Sequence, residues 1–570
     1  MFCATGSTVY PAIREWEEAG VALYSALDSY MKLSAGLAEK SLANGAPPTY
    51  LATRIDSALG CFHTTVSNQF SQVQSILARA RNQILSPFCH LPEEVLSEIF
   101  MHVVFAPLDL SDRRDPTSLT RCGTDSYRAL YNMLGVCTAW RKVGLNRGAL
   151  WSVVPLAQLS TGSLNCAPSV ELILQRAKGT SLNLVVDPPK DSNTDHISLV
   201  AKHASQFDTV NVITSSIPII RSTLGVFTHR QGPAPLMLSR LSIYQRHDYG
   251  SRMLGEDEDI VPSGLEPGLF DQLVKQLSSI QMRSVFLDWG GIGFSDRLTT
   301  FRFQDVMLGY DSEIIPLLKA LSSATKLRDL EIIRVNTCHE SVLLEDTLAR
   351  SQILLPNLQS LLIQDLYFNT LRLILLSIQS RSHRLSLVFT RKSLRLNHAD
   401  FESDEIDTGI LSEALSNTPI HALLVDTETL EADEFVLSPD EFRGVLMAMP
   451  SLETLWVNIW ELRSYYCSVL QRPSVSHESS FPHLINLYFT CVDFPDLEAF
   501  KRMINSHADS IQLVAIGGPS DLITEDKVHW DFPEGAQEAA IWLEDNVPEF
   551  RRIDRNFEPQ EFRHMLWQLW

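Results

Sequence analysis

The residues that could do chemistry are scattered along this sequence and form no catalytic framework. Its nine cysteines and sixteen histidines make no CxxC pair and no HExxH helix, which are spacings that hold zinc. The sequence has no GxxxxGK segment, which would bind a phosphate, and no GxSxG turn, which would present a serine nucleophile. The sequence therefore predicts a protein that is not an enzyme, with no catalytic residue, no metal ligand and no cofactor.

Two glycine-rich stretches and three acidic runs are the remaining candidates for a ligand site. The stretches GGIGF (290–294) and GGP (517–519) follow strand-like segments, where a glycine pair usually makes a turn. The acidic runs at 255–259, 401–407 and 430–434 lack the alternate carboxylates and closing glutamate of a calcium loop. Solvated loops are the favoured interpretation, and attraction of a basic partner is the second.

The overall charge and the cysteine usage indicate the compartment and the partners. A net charge of -21 argues against nucleic acid and against an anionic membrane surface as partners. Nine scattered cysteines favour reduced thiols over a disulfide frame. The N-terminus lacks a basic start followed by an apolar run, and no apolar run approaches the ~18 residues of a membrane helix. We expect a cytoplasmic or nuclear protein, or one found in both.

The first two predicted elements of the chain are an N-terminal segment, 1–48, and a long helix, 49–86. In that helix, apolar residues recur every three or four positions, which is typical of an amphipathic helix. They are Ile55, Leu59, Phe62, Val66, Phe70, Val73, Ile76, Leu77, Ala80 and Ile84. Two interpretations stay open: the helix lies on the body of the protein, or it associates with a second copy as a coiled coil.

A repeated pattern of a branched apolar residue, two residues, leucine, one residue and an apolar residue dominates 170–519. It occurs at Leu238–Leu241–Ile243, Leu327–Leu330–Ile332, Leu358–Leu361–Ile363, Ile420–Leu423–Val425, Leu452–Leu455–Val457 and Leu484–Leu487–Phe489. Helix-like stretches precede several of these strands, so each unit has an apolar face that only stacking can bury.

This pattern resembles the leucine-rich repeat, in a degenerate form. Its central leucines are 24 residues apart from Leu361 to Leu385 and 38 apart from Leu385 to Leu423, against the usual 20–29 or so. The asparagine that closes the strand turn is mostly missing, and Asn336 is an approximate substitute. We predict an α/β solenoid, or more loosely an α+β fold, with an all-α N-terminal part and an irregular array.

The final segment, 520–570, is acidic and rich in tryptophan. A repeat array needs a cap over its last open edge, so the segment is predicted to be a C-terminal cap. A docked tail or a partner-binding peptide is the alternative.

The segment 87–154 combines an apolar helix with later aromatic residues in a fixed order. Pro92 lies near the helix start, where its missing N–H costs nothing, and Glu93 and Glu94 lie in the favoured first turn. A loop insertion is predicted at 106–126 and a second helix at 127–146. The ordered residues are Leu91, Pro92, Glu94, Ile99, Val136, Cys137, Trp140, Leu150 and Trp151.

This order of LPxE, EI, VCxxW and LW resembles the F-box, here in the loop-expanded form of F-box proteins of mushroom-forming fungi. The resemblance implies a three-helix unit that docks the Skp adaptor of a cullin-based ubiquitin ligase, while the repeats bind a protein substrate for ubiquitination. The implied adaptor-binding residues are Leu91, Pro92, Glu94, Val95, Ile99, Phe100, Val136, Cys137, Trp140, Leu150 and Trp151.

Within that set, Leu91 and Pro92 are expected to contact the partner, and Trp140 is expected to be the internal anchor. The alternative is a leucine-rich-repeat interaction scaffold that does not engage a ubiquitin ligase.

Overall fold

The computed structural model describes most of the chain, with gaps. The described residues are 10–85, 88, 91–105, 119–156, 169–188, 197, 200–228, 237–246, 267–340, 352–379, 383–400, 402–426, 437–473, 481–517, 523–524, 527–528, 534–553, 557–565 and 567. The chain divides into two compact units, Met1–Leu96 and Ser97–Trp570. The predicted domain boundaries remain predictions.

The described α-helices lie in both units. They are α1 (Pro11–Ala35), α2 (Leu37–Ala43), α3 (Pro48–Ser57), α4 (Thr64–Leu85), α5 (Glu93–Val104), α6 (Leu119–Val136), α7 (Thr138–Asn146), α8 (Val170–Ala177), α9 (Ile217–Thr228), α10 (Pro267–Val274), α11 (Ile314–Ser322), α12 (Phe368–Ser377), α13 (Thr408–Ser416), α14 (Pro439–Met447), α15 (Ser464–Leu470), α16 (Leu497–Ser506) and α17 (Glu534–Asn546).

The strands all lie in the second unit. They are β1 (Val153–Leu156), β2 (Leu182–Val186), β3 (Phe207–Thr214), β4 (Arg240–Gln245), β5 (Ser279–Arg283), β6 (Thr300–Tyr310), β7 (Asp329–Cys338), β8 (Ser360–Gln364), β9 (Arg384–Phe389), β10 (Arg395–Asn397), β11 (Ser403–Glu405), β12 (Ile420–Asp426), β13 (Thr454–Glu461), β14 (Asn486–Asp493), β15 (Leu513–Gly517), β16 (Ile523–Thr524), β17 (Lys527–Val528) and β18 (Glu549–Ile553).

The first unit is a pair of long helices. The predicted amphipathic helix is present as α3 and α4, joined by a π-helical turn at Ala58–His63. It contacts α1, where the rings of Tyr30 and Phe62 are 5.4 Å apart. None of the described residues of α1 to α4 is buried, so the apolar row is open to solvent, as at Ile76, which is 61% exposed.

In the second unit, most of the described strands form one parallel sheet in chain order, and β10 with β11 and β16 with β17 form two small antiparallel pairs outside it. Fourteen of them pair as β1 to β9, β12 to β15 and β18. A parallel sheet in which every strand pairs with the next one along the chain is the architecture of a solenoid. The solenoid-like α/β repeat fold expected from the sequence is therefore present.

The repeated leucines face the core because side chains alternate along a strand. Leu330 pairs in register with Phe301 on one side and Leu361 on the other, and all three are at most 2% exposed. Helices that follow the strands pack on this side; α12, for example, contacts β7. A bulge at Ile420 shifts the register of β12 against β9, which accommodates the irregular spacing.

A left-handed backbone bulge recurs at the same register position and marks the repeats better than the sequence does. Ser284, Asp305, Arg334 and Asp365 follow one another across β5 to β8 and have φ between 48° and 57°. Left-handed φ is unfavourable for residues other than glycine. Its repetition shows that the stacked sheet imposes the bulge on whatever residue occurs there.

A buried polar ladder at the strand ends is built on Asn369 and Asn397, and not on Asn336, the approximate substitute found in the sequence. The Asn369 amide donates to Asp311 at 2.8 Å and to the Thr337 carbonyl at 3.0 Å. The Asn397 amide donates to the same Thr337 carbonyl at 2.9 Å. These buried side chains satisfy backbone groups at the strand ends, which an unpaired loop would leave unsatisfied.

The helical segment after α5 is joined to the sheet without a linker. Helix α6 begins at Leu119, so the predicted loop is wrong over 119–126, and its remainder, 106–118, lies outside the described residues. The helix starts early because Leu119 packs with Val153 and Val185. The backbone at Gly148 passes so close to α8 that an added Cβ would lie 2.3 Å from the Ala177 carbonyl oxygen.

We expect Gly148→Ala to lower the free energy of unfolding by about 3 kcal/mol, because the methyl group would collide with backbone rather than with a mobile side chain. Urea denaturation followed by circular dichroism measures the loss. The matched control is Gly123→Ala in α6, where no atom lies within 4 Å of the added Cβ. That variant should gain up to about 1 kcal/mol, and equal losses in both variants would contradict the close approach.

Candidate functional site

The first candidate surface is the set of residues implied to bind an adaptor. In the first unit, Pro92 immediately precedes α5, and its carbonyl accepts the Leu96 N–H at 3.1 Å. Pro92, Glu94 and Val95 are exposed, and Leu91 is half-buried. These side chains at the start of α5 are available to a partner.

In the second unit, the implied residues divide into exposed and buried ones. Val136 is 57% exposed, and Ile99 and Cys137 are half-buried. Cys137 caps α7, with its Sγ accepting the Trp140 N–H at 3.5 Å. Thus Val136 and Cys137 mark a sharp corner between α6 and α7.

Trp151, rather than Trp140, is the internal anchor of this segment. Trp151 is 1% exposed, and its Nε1 donates to the Gly144 carbonyl at 2.9 Å. Trp140 is half-buried, with its ring 5.0 Å from that of Phe100. Because Phe100, Leu150 and Trp151 are all buried, they position the surface and do not form it.

Tyr127 ties the same segment to the sheet. Its hydroxyl donates to the Val153 carbonyl in β1, and its ring lies 6.1 Å from that of Trp151. Burial raises the pKa of Tyr127 well above its usual value, and the neighbouring Tyr131 adds to this. The hydroxyl therefore stays protonated and remains a hydrogen-bond donor.

The second candidate surface is the side of the sheet opposite the helices, here called the second face. Two parallel rows of side chains in register form it. One row is Asn211, Ser242, Gln281, Arg302, Glu331, Leu362, Ser386, Ala422, Thr454 and Asn486. The next row is Ile213, Tyr244, Arg283, Gln304, Ile333, Gln364, Val388, Leu424, Trp456 and Tyr488.

The second face is polar over β3 to β7 and mostly apolar from β8 to β14. The C-terminal residues 557–565 and 567, here called the tail, lie across both halves. On the apolar half, Phe557 stacks on Tyr488 at 5.8 Å between ring centroids. Phe562 lies 5.6 Å from Trp456 and is 2% exposed.

On the polar half, the tail is held by its backbone. The Met565 N–H donates to Glu331 Oε1 at 2.7 Å, and the Met565 carbonyl accepts from Arg302 Nη1 at 2.5 Å. The indole of Trp567 then lies under the Arg302 guanidinium, 4.7 Å from ring centroid to Cζ, and is 0% exposed. Arg302 and Glu331 form a clamp around one residue of the tail.

Arg302 and Glu331 are themselves a buried ion pair on adjacent strands. Their Nε and Oε2 atoms are 3.4 Å apart, with side chains only 3% and 7% exposed. Burial is the main influence on both: it lowers the pKa of Arg302 and raises that of Glu331, and each opposes the other's shift through its charge. A buried pair of this kind is stable only if hydrogen bonds satisfy its remaining atoms, and the Met565 backbone supplies two.

Asp305 links the clamp to a second charged group. Its carboxylate accepts from Arg283 Nε at 2.5 Å and from Arg334, and Gln304 joins it to Arg302. Burial alone would raise the pKa of Asp305, but the hydrogen bonds and charges of Arg334 and Arg283 outweigh it, so the pKa is lowered.

A docked tail was the alternative interpretation of 520–570, but the clamp and the particular tail contacts were not predicted from the sequence. Arg302 and Gln304 alternate with the core residues Phe301 and Phe303, and that alternation already places them on the opposite face. The five-residue spacing of Phe557, Phe562 and Trp567 was a second available signal. Among the described residues, no group of three or more metal-ligating side chains is placed to hold an ion, and no helix is long and apolar enough to cross a membrane.

Comparisons with solved structures find similarity at low sequence identity. No protein-family model matches the chain, and no curated protein matches it. Among solved structures, the Rad7 and Elc1 complex in yeast is similar over 75% of this chain and 94% of that one, with 13% identity and a TM-score of 0.31. The TLR13–ssRNA13 complex is similar over 57% of this chain and 44% of that one, with 14% identity and a TM-score of 0.26. TM-scores this low carry no information on what this chain binds.

We expect Asp305→Asn to lower the free energy of unfolding by about 1 to 2 kcal/mol at pH 7, because it removes charge-assisted hydrogen bonds from two arginines. Since the folded-state pKa of Asp305 lies below its unfolded value of about 3.9, this contribution is complete above that pH and is lost as the pH falls through the folded pKa. In urea denaturation at pH 7 and pH 3, the difference in free energy of unfolding between wild type and variant should be smaller at pH 3.

The matched control is Asp296→Asn, which breaks a pair with Lys326 in which both side chains are 62% exposed. It should change the free energy of unfolding by a few tenths of a kcal/mol, up to about 1. If Asp305→Asn lowers the free energy of unfolding equally at both pH values, the charge of the carboxylate is not what stabilises the folded chain.

Proposed function

We propose that this chain is a non-catalytic substrate-recognition adaptor of a Skp-cullin-F-box ubiquitin ligase, acting in the cytoplasm or the nucleus. In this proposal, residues 87–154 dock the Skp adaptor and the repeat array binds a protein substrate. The observation that supports it best is the direct junction in the second unit, where Trp151 is followed within two residues by β1.

A rigid junction matters because a substrate adaptor must present its substrate at a defined position. The hydrogen bond from Tyr127 to Val153 of β1 and the close approach of Gly148 to Ala177 of α8 both cross from the helical segment to the repeat array. Sites on rigid elements are held more precisely than sites on loops. A substrate bound to the sheet would therefore keep a fixed position relative to α6 and α7.

The exposed residues supply the chemistry for docking. Pro92, Val95 and Val136 are apolar side chains open to solvent, and interfaces gain most of their energy from a few such anchors. Glu94 adds an acceptor in the first turn of α5, where the helix dipole stabilises its charge. The matched order of motif residues supports the Skp adaptor as the partner of this surface.

One observation favours the alternative, a repeat scaffold that engages no ligase. Phe100, Leu150 and Trp151 are buried, so the motif residues that remain for an adaptor are fewer than the sequence implies. Under that alternative, these residues serve only to build the first turn of the solenoid.

Co-purification with the Skp adaptor separates the two functions. We expect wild type to bind the adaptor and the double variant Leu91→Ala, Pro92→Ala to bind it at least tenfold more weakly, because the apolar contacts at the start of α5 are lost. The matched control is Val103→Ala, which truncates an apolar side chain of α5 that is 48% exposed and outside the motif.

Circular dichroism must show the repeats folded in all three proteins. Undiminished binding by the double variant would contradict the contact assignment. An absence of adaptor binding by wild type would refute the ligase function and leave the scaffold.

A further inference from the structure

The tail on the second face is arranged like a bound peptide. It leaves the sheet after β18, the last strand, and returns over strands that lie far earlier in the chain. From Glu561, which contacts Thr454 in β13 at 3.3 Å, to Met565 at β7, four residues cross four intervals between strands. Glu561 reaches Thr454 through its side chain, and a 3-10 turn at Gln560–Phe562 lies at the start of this crossing.

The clamp recognises a peptide backbone and not a particular side chain. Glu331 accepts the N–H of Met565, and Arg302 donates to its carbonyl. Every residue except proline offers this same pair of groups. The clamp could therefore hold many sequences in place of Met565.

Specificity comes from the aromatic side chains on either side of the clamp. Phe557, Phe562 and Trp567 are five residues apart and contact Tyr488, Trp456 and Arg302 respectively. The tail carries two carboxylates, Glu558 and Glu561, and one guanidinium, Arg563, so its net charge is small. A nearly neutral segment with spaced aromatic residues is the chemistry that this face fits.

The polar half of the face is unlike a permanent core. Arg302 and Glu331 are buried there, although apolar residues of similar volume would stabilise a fixed core at least as well. Asn211, in the same row, is 0% exposed, and neither of its amide atoms has a hydrogen-bond partner among the described residues. A buried polar side chain without a partner requires an explanation, and a partner supplied by a bound peptide is one.

We propose that the second face is a peptide-binding surface that the chain's own tail occupies in cis, and that a similar aromatic-spaced segment of another protein displaces the tail. This deepens the proposed function, on which it rests for the identity of that protein as a substrate. The binding surface itself is independent of any ubiquitin ligase.

A labelled peptide of residues 557–570 tests the surface in trans, with fluorescence anisotropy as the readout. Full-length wild type is compared with a tail-weakened full-length chain, Phe562→Ala with Trp567→Ala. A tethered tail competes at an effective concentration in the millimolar range. We expect the tail-weakened chain to bind the peptide at least tenfold more tightly than wild type.

Two further variants assign the binding to the clamp. Adding Arg302→Gln to the tail-weakened chain should reduce peptide affinity at least tenfold, because the guanidinium that contacts the backbone carbonyl and the indole is lost. Adding Arg328→Gln, which changes an exposed arginine just before β7, should leave the affinity unchanged. A peptide with Trp567→Ala should bind weakly to every chain.

Equal peptide binding by wild type and the tail-weakened chain would overturn the proposal, as would no binding by a tail-weakened chain that unfolds as cooperatively as wild type. If that chain does not fold, hydrogen exchange of the wild type decides. The Met565 amide should exchange at least tenfold faster than the core amide of Leu330, through local opening of the tail. If both amides exchange only through global unfolding, the tail is a fixed part of the core and the proposal is wrong.

These outcomes are separate from those of the adaptor test. If the peptide does not bind as expected while the adaptor still binds, this inference alone is overturned. Peptide binding without adaptor binding overturns the ligase function and keeps the surface.

Discussion

Every strand of the array has an apolar row that it cannot bury by itself, and stacking in register is the only way to bury it. Leu330, Leu361 and Leu385 illustrate the rule, since each lies directly beside the next and is at most 2% exposed. This constraint explains why strands pair in chain order. It also explains why intervals from 24 to 38 residues are tolerated, because extra residues lie between strands and leave the register intact.

The same alternation that fills the core creates a second face that must also be covered. At the N-terminal end, Leu119 of α6 packs on Val185 and Ile213, and Tyr244 packs against that cluster. Tyr244 also lies 6.5 Å from Trp567 of the tail, measured between ring centroids. The start of α6 and the tail therefore both lie against Tyr244 on this face.

The sequence predicted the parts of this fold that depend on local periodicity. The long amphipathic helix, present over residues 48–85, and the core-facing leucines follow from spacing alone. The ladder at Asn369 and Asn397 could not be predicted, because its members are 28 residues apart and meet only after stacking. Helix α6 was placed too late because 119–126 is rich in serine, threonine and glycine, and its burial against β1 overrides those weak preferences. The residues proposed to bind an adaptor lie in an order that a family resemblance could identify. The clamp depends on the register between strands, which no single segment of the sequence specifies.

An uncovered second face would be unfavourable for two reasons, and the tail covers the residues responsible for both. Its apolar half would expose Leu424, Trp456 and Tyr488 together, a patch of the kind that promotes association. Its polar half would hydrate the Arg302–Glu331 pair and weaken the attraction that orients it. A tail with aromatic side chains for one half and a backbone for the other covers both without adding a permanent strand. Since the tail follows β18, the last strand of the sheet, it can leave the face while every strand keeps its neighbours, which a covering element within the array could not do.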